Sequence, residues 1–118
     1  MATALTVLDV DNSGKSLYLT CLVTLSGSYS TGGDTIDLTT IIGKTYLGRV
    51  FVAGKPPLYG WAVGTTGDAY SIIPGTTLAN GKLKINTASN AELAAGAYAA
   101  RFTGDTNIYM GLVFDLLL

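Results

Sequence analysis

Histidine is absent from the 118-residue chain, and cysteine occurs once, at Cys21. These two gaps remove Ser-His and Cys-His nucleophilic catalysis, histidine-containing metal sites and any intrachain disulfide. Charge is also scarce, at 13% of residues, with seven Lys and Arg against eight Asp and Glu for a formal net charge of −1. Neither a basic nucleic-acid surface nor an acidic tail is present. A surface with so few charges to keep copies apart suits a chain that assembles. Long apolar runs are missing as well. The stretches around Leu22 and from Leu112 to Leu118 fall short of the ~18 residues a bilayer span needs, and Asp115 splits the second. The start, Met1 to Val7, has no basic region, and Asp9 and Asp11 interrupt it early, which argues against a secretory signal and for assembly in a cytoplasm. The length fits one domain, 1–118.

What the chain does have is dense turn punctuation: Asn12-Ser13-Gly14, Ser26-Gly27-Ser28, Gly32-Gly33-Asp34, Thr66-Gly67-Asp68, Pro74-Gly75, Asn80-Gly81 and Gly104-Asp105. The stretches between are short and rich in Thr, Val, Ile, Leu and Tyr, several alternating with period two, so the class is all-β. Strands are expected at Leu5 to Val10, Ser16 to Leu25, Thr45 to Ala53, Leu58 to Val63, Ala69 to Ile73, Lys82 to Asn86, Ala97 to Phe102 and Asn107 to Leu116. The expectation is a single-domain antiparallel β-sandwich or jelly-roll-like barrel of about eight strands.

In Ser16 to Leu25 the residues Leu17, Leu19, Cys21, Val23 and Leu25 share the core face, and Cys21 reads as a small buried hydrophobe. The last strand is apolar on nearly both faces, which makes it central or covered by a partner chain. Asn80-Gly81 predicts a type I′ hairpin from Thr77-Leu78 into Lys82 to Ile85, and the Lys82/Lys84 alternation an edge-protected strand with one wet face. Ser89 to Gly96 carries the Ser-x-x-Glu capping box of a helix of one or two turns; Asp34 to Ile42 is read as loop or short strand, given the β-branched run at its end.

Candidate chemistry is thin. Asp34 and Asp37 follow Gly32-Gly33 and would either hold a hard cation or, as Asp does near glycine, accept backbone N–H bonds in a turn and cap the next segment. Asp9 and Asp11 read as solvent-face residues at a strand end. A glycosidase pair drawn from Asp34, Asp37, Asp68, Glu92 and Asp105 is disfavoured, because turn geometry and capping account for these acids. No phosphate loop, nucleophile elbow or zinc spacing appears, so the chain is not expected to be an enzyme or to carry a cofactor. The seven basic residues are dispersed, against a nucleic-acid groove. Lys55 to Trp61 is an aromatic segment held by Pro56 and Pro57: either a contact site, or a strand whose Tyr59 and Trp61 cover one end of the core.

The run Val23 to Leu38, V-T-L-S-G-S-Y-S-T-G-G-D-T-I-D-L, resembles a pattern in small virion proteins of tailed bacteriophages, roughly V-T-x-S-G-S-Y-x-T-G-G-D-T-x-D-L. Ile73 to Lys84 and Ala91 to Tyr98 resemble later blocks of the same proteins, in the same order. The resemblance implies a phage structural protein, a capsid decoration or cement protein on the capsid surface. Its partners would be the major capsid protein and further copies of itself, by analogy as a trimer, with no nucleic acid and no membrane. It implies no catalytic residue, metal or cofactor, and the ending Val113 to Leu118 matches no family pattern. The candidate interface comprises Tyr29, Gly32, Gly33, Asp34 and Asp37 of a loop expected to project into solvent; Pro56, Pro57, Tyr59 and Trp61; and the apolar tail Leu116, Leu117 and Leu118. Alternatives are a tail, collar or head-fibre component, and a carbohydrate-binding module using Tyr59 and Trp61.

Overall fold

The computed structural model describes residues 3–13, 16–41, 56–87 and 91–115. It is all-β. In chain order come β1 (Thr3–Ser13), β2 (Ser16–Leu25), β3 (Ser28–Tyr29), β4 (Asp34–Ile36), a 3₁₀ turn (Leu38–Ile41), β5 (Tyr59–Val63), β6 (Ala69–Ile73) and β7 (Gly81–Asn86). They are followed by β8 (Gly96–Ala97), the one-turn helix α1 (Ala100–Thr103) and β9 (Ile108–Asp115). Seven strands form one antiparallel sheet in the order β1-β2-β9-β5-β6-β7-β4, and β3 pairs with β8 in a small second sheet. The large sheet curls into a half-barrel, so that its two edge strands approach each other where the Thr3 hydroxyl donates to the Thr35 carbonyl at 2.8 Å. No helix among the described residues is long and apolar enough to cross a membrane.

The alternation in β2 does what its pattern dictates. Leu17, Leu19, Cys21, Val23 and Leu25 are all buried in one core with Ile108, Met110, Leu112 and Phe114 of β9, while Leu83 and Ile85 of β7 close it from the far side. Burial alone pushes the Cys21 thiol up to about 12, as befits a packing residue. β9 lies between β2 and β5, the central position that was one of its two expected places, and its outward face keeps Tyr109 exposed. In β1 the register shifts between Val7 and Asp9; the bulge turns Leu8 outward while Leu5, Val7 and Val10 still pack on the core.

Several expectations change. Ala97 to Phe102 is not a strand: only Gly96 and Ala97 pair, and the chain then closes one helical turn whose Phe102 is driven into the core. The ring of Phe102 packs against Tyr98, with the Arg101 guanidinium 4.4 Å above it. The Asn80-Gly81 hairpin is wider than the dipeptide suggests. β6, not Thr77-Leu78, is the partner of β7, and the connection runs through 74–80. There Asn80 folds back, its Oδ1 accepting the N–H groups of Thr76 (2.9 Å) and Thr77 (2.8 Å). β7 is interior, flanked by β6 and β4, although its lysines do share the wetter face. Of the capping-box segment, residues 88–90 lie outside the described residues. Ala91 to Gly96 is not helical, because Glu92 bridges to Asn86 and the Leu93 N–H donates to the Ile85 carbonyl, extending β7's pairing instead. Asp34 to Ile36 is the short strand expected, but the β-branched residues after it form the 3₁₀ turn. The strand expected at Thr45 to Ala53 lies outside the described residues.

Candidate contact surfaces

Two places bring the singled-out residues together, one on each side of the sheet. On the core side, the loop from Gly27 to Gly33 is clasped to the segment 91–98 by two tyrosine–carboxylate pairs that cross. Tyr29, on β3, donates its hydroxyl to Glu92 Oε2 at 2.8 Å, and the same oxygen accepts the Gly32 N–H at 2.6 Å. In return Tyr98, just after β8, donates to Asp34 Oδ2 at the start of β4, while Asp34 Oδ1 accepts the Ser30 N–H at 3.2 Å. The Tyr29 oxygen also accepts the Ile85 N–H of β7 (3.2 Å), and the two tyrosine rings meet edge to face at 6.1 Å.

Tyr29 is therefore not the exposed projection expected of it. Only 2% of it is accessible, and Asp34 is equally hidden at 3%. Its ring is buried while its hydroxyl is satisfied by the half-buried Glu92 carboxylate and by the Ile85 N–H, which lets a loop tyrosine turn inward without leaving a polar atom unpaired. The exposed part is the tip itself, Gly27, Ser28, Ser30, Thr31 and Gly32. Gly33 is buried beneath it with φ of 118°, and a Cβ there would meet the Leu83 carbonyl oxygen at 3.0 Å, so only glycine lets the loop close on β7. Asp37 sits beyond the clasp, accepting the Thr39 N–H at 3.0 Å to cap the 3₁₀ turn. Asp34 and Asp37 thus serve turn and cap, the alternative weighed against a cation site.

The electrostatics of the clasp follow from this geometry. Burial first, and then the neighbouring Glu92 and Asp34, push the Tyr29 hydroxyl up to about 12, against the opposing pull of the Ile85 N–H. Burial and the bond to Asp34 raise Tyr98 in the same direction. Glu92 is held below the usual carboxylate range by the Gly32 N–H and the Tyr29 hydroxyl. Asp105 is likewise lowered: burial opposes this, but the N–H groups of Thr65 (3.0 Å) and Asn107 (2.9 Å) prevail. Carboxylates with depressed folded values stabilise fully above their unfolded values near 4, and that contribution is lost as pH falls through the folded ones. Tyrosines with raised folded values do the opposite: their contribution is intact below about pH 10 and disappears as pH rises through the folded value. The urea midpoint is accordingly expected to be flat around neutrality, to decline below about pH 4 and to decline again above about pH 10. A midpoint still level at pH 12 would contradict the raised tyrosines.

The second surface lies on the outward face of the sheet. In β5 the order Tyr59-Gly60-Trp61-Ala62-Val63 puts Gly60 and Ala62 on the core side. Only glycine fits at 60, where a Cβ would come within 2.6 Å of Leu112 Cδ2 and 2.7 Å of the Gly111 oxygen. The alternating residues therefore face solvent, Tyr59 with 54%, Trp61 with 52% and Val63 with 60% of their surface exposed. Tyr59 and Trp61 do not cover the end of the core, which corrects that half of the sequence expectation. Pro57 is buried and Pro56 half-buried just before β5, where the Leu58 N–H donates to the Val113 carbonyl at 2.8 Å and starts the ladder.

Register assembles the rest of this surface. Trp61 is paired with Gly111, and a Cβ at Gly111 would lie 2.3 Å from two atoms of the indole, so the ring rests directly over the β9 backbone. Val113, paired with both Tyr18 and Tyr59, is buried between neighbours although it points outward. Tyr109 faces Val63 on one side and Leu22 on the other. The sequence flagged Tyr59 and Trp61 but missed Tyr18, Tyr109 and Gly111, whose role appears only once β9 is known to lie between β2 and β5. Tyr98 was missed, and Glu92 was read only as a capping residue or a disfavoured catalytic acid, for the same kind of reason, since their partners are 60 or more residues away. Leu116, Leu117 and Leu118 lie outside the described residues. No family model, no curated protein and no solved structure matches the chain.

Proposed function

We propose that the chain is a structural protein of a tailed-bacteriophage virion, a decoration or cement protein that bridges major capsid subunits on the capsid surface. It would act as a homo-oligomer and without catalysis. The observation that carries this reading is the clasped loop. Its motif is the one that resembles the phage proteins, and its exposed tip at 27–32 is held from beneath by two carboxylates and two tyrosine hydroxyls. A tip fixed before contact loses little conformational entropy on docking, and small preorganised contacts become strong when a lattice repeats them. Scarce surface charge adds to this, because it lowers the repulsion between crowded copies.

The test is the amount of the protein in purified virions relative to the major capsid protein, by quantitative mass spectrometry. A ratio near one, or a simple lattice fraction of it, is expected, together with heads that lose heat resistance when the protein is deleted. A handful of copies per particle would move it to a vertex, collar or tail, and absence from virions would end the reading.

A further inference from the structure

The outward face of the sheet is a separate surface, on the side opposite the clasped loop, and it has its own chemistry. One row of paired positions crosses it: Asp9 on β1, Thr20 on β2, Gly111 on β9, Trp61 on β5, Ser71 on β6 and Lys84 on β7. Because Gly111 has no side chain, the indole lies down on the backbone and presents a broad face to solvent instead of an edge. Thr20 and Ser71 set hydroxyls on either side of it, each within about two strand spacings of ~4.8 Å. Charge in this row occurs only at its two ends. Along β5, Tyr59 continues the aromatic surface two residues away, about 7 Å along the strand.

We propose that this row is a binding site for a neutral glycan, with Trp61 as the stacking platform and Tyr59 as its extension. A sugar ring has a face of C–H bonds whose partial positive charge meets the negative face of the indole, and a rim of hydroxyls that exchange hydrogen bonds with Thr20 and Ser71. The chemistry of the row selects this occupant: between its charged ends it offers an aromatic face flanked by two hydroxyls and no ionised group for an acidic or basic partner to pair with. Val63 and Ile73 on the same face are also exposed, so a second copy of the chain is the competing occupant that sedimentation velocity must exclude. A single-stranded nucleic acid also stacks on aromatics, but it needs a groove of positive charge, and Lys84 is the only base in the row. The site does not depend on the virion reading, and it is tested on the isolated chain.

Trp61 is the only tryptophan, so its fluorescence reports the site directly. The full-length protein is to be run in affinity gels containing soluble neutral polysaccharides, α-glucan, β-glucan, mannan and galactan in turn. It is then titrated with oligosaccharides of whichever retards it, while its emission is followed. Retardation by at least one polysaccharide is expected, with a saturable change in emission. Trp61→Ala is expected to weaken binding at least tenfold, Trp61→Phe to retain part of it, and Gly111→Val to weaken it by lifting the indole, all with the circular dichroism of the parent. Failure of all four polysaccharides to retard the protein or change its emission would overturn the proposal. So would a sedimentation-velocity dimer that Trp61→Ala dissolves, which would give the face to a second copy.

Discussion

Tyr98→Phe is expected to cost about 2–3 kcal/mol of unfolding free energy, a fall in melting temperature of roughly 10 °C for a domain of this size. The substitution keeps the ring, and with it the contacts to Tyr29 and Phe102, and removes only the hydroxyl that donates to Asp34. Asp34 is then left buried with the Ser30 N–H at 3.2 Å as its remaining hydrogen bond in the clasp. A buried acceptor that loses a donor bears the desolvation it had been relieved of, and more so for a carboxylate. Tyr29→Phe is expected to cost about 1–3 kcal/mol for the complementary reason, since it deprives the Ile85 amide of its acceptor and Glu92 of a donor. The informative variant carries both changes. The two pairs hold the same loop to the same segment, so once one has let go the other has less to hold. The double variant should fall short of the summed single losses by more than about 0.5 kcal/mol. Urea midpoints at unchanged m-value provide the measurement. Strict additivity would mean that the two pairs act independently and that no clasp exists.

The sequence is most legible where a signal is local. Period-two alternation places every core residue of β2, the bounds of β2 and β6 coincide with those expected, and the dual apolar faces of β9 locate it in the interior. Legibility ends where a residue's partner is remote. Glu92 sits in a good capping box, but pairing with Asn86 and bonds to Tyr29 and Gly32 outweigh the roughly 1 kcal/mol a cap provides. Asn80-Gly81 looks like a two-residue turn; the real strand partner, Ala69–Ile73, lies farther back, so Asn80 caps a wider loop. The candidate site divides the same way. Trp61 stands out in composition, but that it lies flat depends on Gly111, fifty residues on, and on the strand order that sets the two side by side. Tyr29 was expected outside because glycines surround it, and only the crossing of β3 with β8 shows what draws it in.

Leu112→Ala is expected to cost about 3–5 kcal/mol, more than the loss of the far larger Trp61 on the neighbouring strand. Leu112 is buried on β9, paired with Leu19 on one side and Gly60 on the other, and it lines a small apolar cavity with Ile36, Leu38, Ile72 and Leu78. Strands on both sides hold the β9 backbone, so the sheet cannot close over the space left by the isobutyl group, and the cavity cost adds to the lost transfer energy. Trp61→Ala removes a ring of which half already faces water and whose inner face touches backbone at Gly111; the expected loss is roughly 1–2 kcal/mol. Denaturation of both variants side by side therefore asks what the aromatic face is for. If the larger side chain is the cheaper to lose, the fold does not depend on it, and an uncharged indole kept on the surface is available for contact with something else. Equal losses would make Trp61 part of the packing of the sheet, and would leave the clasped loop as the better place to look for partners.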